Sequence, residues 1–415
     1  MQLLISNIKQ LVTVNSGGKP NKSGRAMRDI GVLEDASVLV ENGIISWIGN
    51  APDFKNTLEP DADVLDGSSY VALPGFVDSH THALFGGSRE TEFAMRAEGK
   101  TYQEIASQGG GILNSVNATR AATKKELKKA TSRRLDAMMK HGTTTIEIKS
   151  GYGLSEEAEI KMLEAITELA DEHFATIRTT FLGAHAFPPE FKDRHSEYID
   201  LLCDRLLPYI SRRKLAQFCD VFCEIGYFSL DESRHILEKA RSHGLALKLH
   251  SDEFNSIGGT QLAAELQAMS VDHLEHISDD AIGHLKHGKT VAVVLPGVSF
   301  FLRNPYAPAR KLIDSGIPLA IASDFNPGSC MSFSIPLMMT IACTHMSMTP
   351  EEAIAATTLN GAAALGLSDQ VGSIEVGKRA DIILYEIPNY RYLAYHFGVN
   401  LVAKVIKNGT ILEFP

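Results

Sequence analysis

The chain has 415 residues, of which 44% are hydrophobic and 22% charged, and its formal net charge is −10. This length and composition favour a globular protein with one large domain and a smaller accessory one. The negative balance argues against nucleic acid or an anionic membrane surface as the main partner.

The cysteine usage and the amino terminus predict the compartment. Five cysteines without a closely spaced disulfide framework are expected to be reduced thiols. The first residues lack a basic leader followed by an apolar core, and no apolar run approaches membrane-spanning length. We therefore expect a soluble cytoplasmic protein, without nucleic-acid or membrane partners, that acts on a small molecule and forms a homodimer.

Both ends of the chain are predicted to be rich in β structure. Near the amino terminus, Asn42-Gly43 is a turn signal between the strand-like stretches 36–40 and 44–49. Strand-like stretches separated by turns occur again near the carboxyl end, at 372–377, 380–385, 402–406 and 410–412. We predict one small β domain, a sandwich built from residues 1–70 and 366–415.

The middle of the chain, 71–365, alternates strand-like and helical stretches, which is typical of α/β architecture. The candidate strands are 76–82, 143–150, 176–183, 221–226, 246–250, 270–276, 291–295 and 318–324. Amphipathic stretches such as 156–171 and 229–243 separate them. Eight such units predict a (β/α)₈ barrel.

A His-Thr-His sequence follows the apolar run 71–78. Alternate residues of a strand point the same way, so His80 and His82 can present two imidazoles to one metal ion. In a barrel enzyme the chemistry lies at the carboxyl ends of the strands. His250 after strand five and Asp324 after strand eight complete a set of three nitrogens and one oxygen, which suits zinc or ferrous iron. Such an ion lowers the pKa of bound water from 15.7 to about 7.

Two further strand ends carry groups suited to proton transfer. Glu253 lies three residues beyond His250, where a carboxyl group can shuttle a proton between water and a leaving nitrogen. His273 can polarise a substrate carbonyl or hold the water, and Asp324 can accept the water's proton as well as bind metal. The sequence leaves open how proton transfer is divided among Glu253, His273 and Asp324.

Loops after the first three strands carry candidate groups for an anionic substrate. Arg89 lies in a glycine-flanked loop, where its guanidinium can clamp a carboxylate with two hydrogen bonds. Tyr152 and His185 follow strands two and three. The glycines 109–111 suggest a flexible lid, and they lack the lysine and spacing of a phosphate-binding loop, which excludes nucleotide binding there.

These residues together resemble the amidohydrolase superfamily of metal-dependent hydrolases. Leu-Pro-Gly-Phe-Val-Asp-Ser-His-Thr-His and Gly-Ser-Ile-Glu-Val-Gly-Lys-Arg-Ala-Asp resemble its opening and closing signatures. The resemblance implies a distorted (β/α)₈ barrel with a β-sandwich built from both termini, and it covers nearly the whole chain. Members with two metals commonly bridge them with a modified lysine at the end of strand four. Strand four here ends without a lysine, and Lys149 ends strand two instead, so we expect one metal ion, divalent or trivalent, per chain.

A closer resemblance, to the branch that hydrolyses 4-imidazolone-5-propanoate in histidine degradation, rests on five segments. They are His-Thr-His-Ala-Leu-Phe-Gly-Gly-Ser-Arg, Glu-Ile-Lys-Ser-Gly-Tyr-Gly-Leu, Phe-Leu-Gly-Ala-His, His-Ser-Asp-Glu-Phe and Ser-Asp-Phe-Asn-Pro-Gly-Ser. The resemblance implies ring opening to N-formimidoyl-L-glutamate with one zinc or iron ion. The implied metal ligands are again His80, His82, His250 and Asp324. The implied substrate-binding residues are Arg89, Tyr152, His185, Glu253, Asn326, Gly328 and Ser329.

Two other functions are compatible with such a barrel. A deaminase of a purine or pyrimidine ring uses a similar metal shell, but a neutral base offers the Arg89 guanidinium nothing to pair with. A binding protein that has lost the chemistry is the other alternative. The presence of all four proposed ligands and of Glu253 argues against it.

Overall fold

The computed structural model describes residues 2–55, 57–100, 104, 110–286 and 288–414. The strands among these residues form two eight-stranded sheets. Among these residues, no helix has the length and apolar character needed to cross a membrane.

The first sheet is assembled from both ends of the chain, as predicted. Its strands, numbered in chain order, are β1 (Gln2–Val12), β2 (Val32–Glu41), β3 (Ile44–Asn50), β4 (Asp63–Asp66), β5 (Val71–Pro74), β14 (Ile382–Tyr385), β15 (Val402–Lys407) and β16 (Thr410–Leu412). They run in the order β16-β15-β14-β5-β1-β2-β3, and β4 pairs with β1. The stretch 372–377 does not join it as a strand, because Gly372 and Gly377 adopt φ of +88° and +91° and turn the chain.

The second sheet is the barrel. Its strands are β6 (Phe76–Asp78), β7 (Thr143–Lys149), β8 (Thr176–Ala184), β9 (Phe218–Cys223), β10 (Ala246–Ser251), β11 (Ser270–His273), β12 (Val291–Val294) and β13 (Leu319–Ile321). Each is parallel to the next in chain order. A bridge between Thr81 and Phe325 brings the first and last strand ends together. The predicted (β/α)₈ barrel is therefore confirmed.

Helices alternate with the barrel strands and continue beyond them. The described helices are α1 (Glu90–Ala97), α2 (Ile112–Ala121), α3 (Lys124–Lys140), α4 (Glu156–Glu172), α5 (His195–Asp200), α6 (Leu207–Arg213), α7 (Leu230–Ser242), α8 (Gly259–Glu265), α9 (Asp279–Leu285), α10 (Pro296–Leu302), α11 (Ala309–Asp314), α12 (Ile335–His345), α13 (Pro350–Thr357), α14 (Leu359–Ala363) and α15 (Tyr392–Tyr395). Helix α7 begins where the sequence predicts, since Ser229 and Glu232 form a capping box.

Four predicted strands differ from the observed ones by three residues or more at an end. The first ends at Asp78 rather than at 82, and the eighth ends at Ile321 rather than at 324. The fourth strand begins three residues earlier than predicted, at Phe218, and ends at Cys223, because the chain turns at Gly226 with φ of +84°. The sixth ends at His273, because His273 and Leu274 both adopt positive φ, +86° and +73°. A residue in this conformation cannot continue a strand.

One apolar run, 71–78, serves both sheets. Its first half, β5, pairs with β1 and β14, and its second half, β6, pairs with β7 in the barrel. The two halves separate at Gly75, where an added Cβ would lie 2.1 Å from Oγ1 of Thr144. The chain therefore passes between the sheets at a point where only glycine fits. The division into 1–70 with 366–415 and 71–365 stays a prediction.

Candidate metal centre and active site

His80 and His82 lie just beyond β6, and both are buried. Nδ1 of His80 lies 2.6 Å from Oδ2 of Asp272 on β11. Because that nitrogen donates its hydrogen to the carboxylate, Nε2 of His80 keeps its lone pair. Burial lowers the pKa of His80 and of His82 well below the usual range, so both imidazoles are neutral.

His250 and Asp324 approach the same point from β10 and from the turn after β13. Nδ1 of His250 lies 3.0 Å from Oδ2 of Asp220 on β9. Asp324 has φ of +47°, and its Oδ1 lies 3.4 Å from Nε2 of His80 and also from Nε2 of His82. Burial raises the pKa of Asp324 to about 7, although the neighbouring His273 opposes this.

The unpaired polar atoms at this point fit a metal ion. Among the described residues, Nε2 of His80, Nε2 of His250 and Oδ1 of Asp324 are buried without a hydrogen-bond partner. Such atoms are costly to bury unless something binds them. Ligand atoms of His80, His82 and His250 lie within 4.8 Å of one another. This cluster, three nitrogens and one carboxylate oxygen, suits a borderline divalent cation.

His273 also reaches the cluster. One of its ring nitrogens lies within 4.8 Å of ligand atoms of both His80 and Asp324. Its ring nitrogens also face carboxylates, with Nε2 at 3.6 Å from Glu253 and Nδ1 at 3.6 Å from Glu275. Geometry alone thus allows His273 two roles, as a metal ligand or as an acid–base group.

Glu253 and His273 form a buried pair, and the pKa of each is raised for a different reason. Burial raises the pKa of Glu253 to about 8. Burial also works to lower the pKa of His273, but the carboxylates of Glu253 and Glu275 outweigh it and raise that pKa to about 10. The two groups are coupled, so a proton on Glu253 removes part of what favours a proton on His273, and either group can hold the proton that is transferred.

Glu224, at the end of the fourth strand, holds the loop that carries Glu253. Its carboxylate accepts hydrogen bonds at 3.0 Å from the amides of Phe254 and Asn255 and from Nδ2 of Asn255. Sequence reasoning gave Glu224 no role. No local pattern links it to a loop 30 residues away.

A cavity of about 420 Å³ opens above the cluster. Arg89 lines it, and Nη2 of its guanidinium lies 2.7 Å from Oε2 of Glu92. Glu92 also accepts hydrogen bonds from the amide of Gly111 at 3.1 Å and from Nδ2 of Asn114 at 3.1 Å. Gly328 gives Arg89 its room, since a Cβ there would lie 2.3 Å from Nη1 of Arg89.

The other predicted substrate-binding residues line the same cavity. His185 stacks on His82 with ring centroids 5.0 Å apart, and its Nδ1 lies 3.0 Å from the carbonyl oxygen of Gly151. Burial lowers the pKa of His185 to about 3, so its ring is neutral. Tyr152 is buried beside both histidines, with its ring centroid 5.7 Å from that of His82.

The turn after β13 is held by Asn326. Its Oδ1 accepts hydrogen bonds from the amides of Gly328 and Ser329 at 2.7 and 2.8 Å, and its Nδ2 donates to Oγ of Ser329 at 2.6 Å. All three residues line the cavity. The Asn326 amide therefore shapes this wall of the pocket.

Two cavity residues on α1 were missed. Glu92 and Arg96 follow Arg89 at helical spacing, so both share its side of α1. Arg96 donates to the carbonyl oxygen of Gly328 at 3.3 Å and lies over the ring of Phe301 at 4.9 Å. The helical spacing was the available signal. Of the predicted lid glycines, Gly109 lies outside the described residues, and Gly111 is the N-cap of α2 with φ of +85°.

Known proteins match this chain over nearly its full length. The sequence profile described as the amidohydrolase family matches residues 71–412. The imidazolonepropionase of Clostridium tetani is 48% identical over 411 residues, which is 99% of this chain and 98% of the relative. Those of Alkaliphilus oremlandii and Geobacillus kaustophilus are 48% and 46% identical, and the matches cover 98% and 99% of this chain and 97% of each relative.

Solved structures with lower identity share the fold. An adenosine deaminase from Xanthomonas campestris with bound zinc superposes with a TM-score of 0.73 at 18% identity, over 99% of this chain and 92% of that one. A triazine hydrolase variant gives 0.74 at 16% identity, over 99% and 94%. At these identities the likeness is one of fold alone, so the deaminase does not favour a deaminase activity here.

The family and the histidine–aspartate cluster together indicate a divalent metal ion. The chain belongs to the amidohydrolase family, in the branch that contains the curated imidazolonepropionases.

Proposed function

We propose that the chain hydrolyses the ring amide of 4-imidazolone-5-propanoate to N-formimidoyl-L-glutamate, a step of histidine degradation. The observation that carries this proposal is that one cavity is lined both by His82, His250 and Asp324 of the histidine–aspartate cluster and by the Arg89 guanidinium. The cluster suits hydrolysis, and the guanidinium suits a substrate with a carboxylate. Relatives at 46–48% identity over nearly the full chain carry the corresponding name.

His80, His82, His250 and Asp324 would hold the metal ion. When bound, a zinc or iron ion supplies Lewis-acid activation of a water molecule for attack on the ring carbonyl. With Oδ1 directed at the metal ion, Asp324 accepts the proton that the water loses on its other oxygen, Oδ2, which lies 3.4 Å from Oγ of Ser329. The donor set suits either metal, and the choice between zinc and iron belongs to this proposal.

Two residues act at the reacting amide. His273 donates a hydrogen bond to the ring carbonyl oxygen as negative charge develops there, because the Glu275 carboxylate, 3.6 Å from its Nδ1, favours the protonated ring. Glu253 delivers a proton to the departing ring nitrogen, because burial keeps its carboxyl group protonated with a pKa of about 8. The carbon–nitrogen bond breaks, and the new carboxylate carries the oxygen of water.

Three residues hold the substrate's propanoate arm. Arg89 pairs with the carboxylate, and Tyr152 and His185 contact the substrate from the opposite wall. Glu92 holds the guanidinium through one oxygen, Oε2, which leaves Nη1 on the side of Gly328 for the substrate. A substrate without an anionic arm would leave this half-buried guanidinium beside Arg96 with an incomplete set of partners.

Product analysis tests this function against the deaminase alternative. We expect purified protein to add one water to 4-imidazolone-5-propanoate, to open the ring and to release no ammonia. Mass spectrometry of the product and a coupled ammonia assay on the same sample measure both. Ammonia released in step with substrate loss would replace the proposed function with a deaminase.

A further inference from the structure

Lys149 ends β7, and its side chain is fully buried among carboxylates. Its ammonium lies 2.7 Å from Glu147, 2.8 Å from Asp220 and 3.7 Å from Asp272. In a barrel, inward side chains from alternate strands form layers, and bulky apolar residues usually fill them. Lys149, Asp220 and Asp272 come from β7, β9 and β11, which are alternate strands. They form a layer of charged side chains where apolar ones are usual. The reaction proposed above does not use this lysine.

The same carboxylate oxygens that face Lys149 contact two proposed metal ligands. Oδ2 of Asp272 lies 2.6 Å from Nδ1 of His80, and Oδ2 of Asp220 lies 3.0 Å from Nδ1 of His250. Lys149 thus completes a chain of contacts between two histidines that approach the metal centre from different strands. A carboxylate behind a metal-binding histidine fixes its tautomer and its ring orientation.

The neighbouring Lys248 shares two of these contacts but not the one with Asp220. Its Nζ donates to the carbonyl oxygen of Ser79 at 3.0 Å and lies 3.6 Å from Glu147 and 3.9 Å from Asp272. Within the described part of the chain, Lys149 is the only lysine or arginine that pairs with Asp220. Without its ammonium, Asp220 and Asp272 would be buried near Glu147 with one cation fewer, and their mutual repulsion would displace them.

We propose that Lys149 is a positioning residue of the metal centre. It fixes Asp220 and Asp272 so that His250 and His80 direct Nε2 at one cation, a role that rests on the proposed function. A lysine at the end of the second strand thereby organises a centre for one metal ion without contacting it.

Zinc affinity tests this role directly. Metal-free wild type and Lys149→Met are titrated with Zn²⁺ in competition with a chromophoric chelator, and thermal unfolding of each metal-free protein is recorded. Lys161→Met is the matched control, because Lys161 also has three partners, the carbonyls of Thr119, Arg120 and Ala122, but lies outside the cavity. We expect Lys149→Met to weaken zinc binding about 10- to 100-fold. Lys161→Met should lower the unfolding temperature and leave zinc affinity unchanged.

Two outcomes would overturn the proposed role of Lys149. If Lys149→Met binds zinc as tightly as wild type does, Lys149 has no positioning role. If Lys161→Met loses as much zinc affinity as Lys149→Met, the loss reflects general destabilisation of the fold instead. If Lys149→Met does not fold, Lys149→Gln keeps an N–H donor toward Asp220 without the charge and should still lose zinc affinity. A wild type that binds no zinc would instead defeat the proposed metal centre itself, which separates the two failures.

Discussion

The backbone amide of Asp324 donates to the carbonyl oxygen of His80 at 3.0 Å. This hydrogen bond joins the turn after the last barrel strand to the end of the first, and it does so at two proposed metal ligands. A second bond, from the amide of His82 to the carbonyl oxygen of Phe325 at 3.0 Å, lies beside it. Closure of the barrel and assembly of the metal centre therefore depend on the same residues.

Zinc should for this reason stabilise the fold as well as support activity. At a free zinc concentration of 100 times Kd, binding only to the folded state adds about 2.7 kcal/mol to the free energy of unfolding. Chelation should abolish turnover and lower the unfolding temperature, and added zinc should restore both. Asp324→Ala should lose most of this zinc-dependent shift. A full shift in Asp324→Ala would remove Asp324 from the ligand set.

Arg89→Ala should weaken substrate binding and leave metal binding intact. Hydrogen bonds to charged groups contribute about 1.5–3 kcal/mol, so KM should rise about 10- to 100-fold. Arg89→Lys is the matched variant, and it should recover only part of the loss because an ammonium cannot make the two-pronged contact. Steady-state kinetics and bound metal are measured on the same preparations. Equal loss of substrate and metal affinity would contradict the carboxylate clamp.

Gly328→Ala should produce a similar loss without removing any functional group. Its Cβ would lie 2.3 Å from Nη1 of Arg89 and would push the guanidinium away from the cavity. KM should rise while metal content stays at one per chain. Gly283→Ala, on α9 with no atom within 4 Å of its added Cβ, is the control and should leave KM unchanged. An unchanged KM in Gly328→Ala would show that Arg89 is not held there during binding.

The barrel could be predicted from the sequence because eight strand-like stretches alternate with amphipathic helical ones. Once the strand ends are placed, His80, His82, His250 and Asp324 must converge, since parallel strands end at one face. The contacts of Lys149 could not be predicted, because they join alternate strands and leave no local pattern. The same holds for Glu224, which reaches a loop 30 residues away. The split of the run 71–78 at Gly75 was missed because both halves are equally apolar. The homodimer and the roles of the individual site residues stay predictions.

Glu253→Gln should slow the chemical step and leave the metal bound. Loss of a positioned acid typically costs about 10²- to 10⁴-fold in rate, so kcat should fall within that range. Glu265→Gln, at an exposed glutamate that pairs with Arg234, is the control and should keep wild-type kcat.

His273→Gln should also lower kcat while zinc stays bound. A variant of His273 that loses zinc would assign it to the ligand set that its position near His80 and Asp324 also allows.

Gly75→Ala should destabilise the junction between the two sheets. The added Cβ would lie 2.1 Å from Oγ1 and 2.6 Å from Cγ2 of Thr144. Overpacking of this kind costs about 1–3 kcal/mol, which urea unfolding measures. Thr144→Ala in the same chain removes both atoms and should recover part of the loss. If the two substitutions change the free energy of unfolding additively, the added Cβ does not clash with Thr144.

The most direct test of the central claim is a titration of metal-free protein with zinc, in which hydrolysis of 4-imidazolone-5-propanoate is followed by the loss of its ring absorbance. Turnover should start near zero, rise in proportion to added zinc and level off at one ion per chain. Full turnover in the metal-free protein, or none in a protein that holds one zinc ion per chain, would contradict the account.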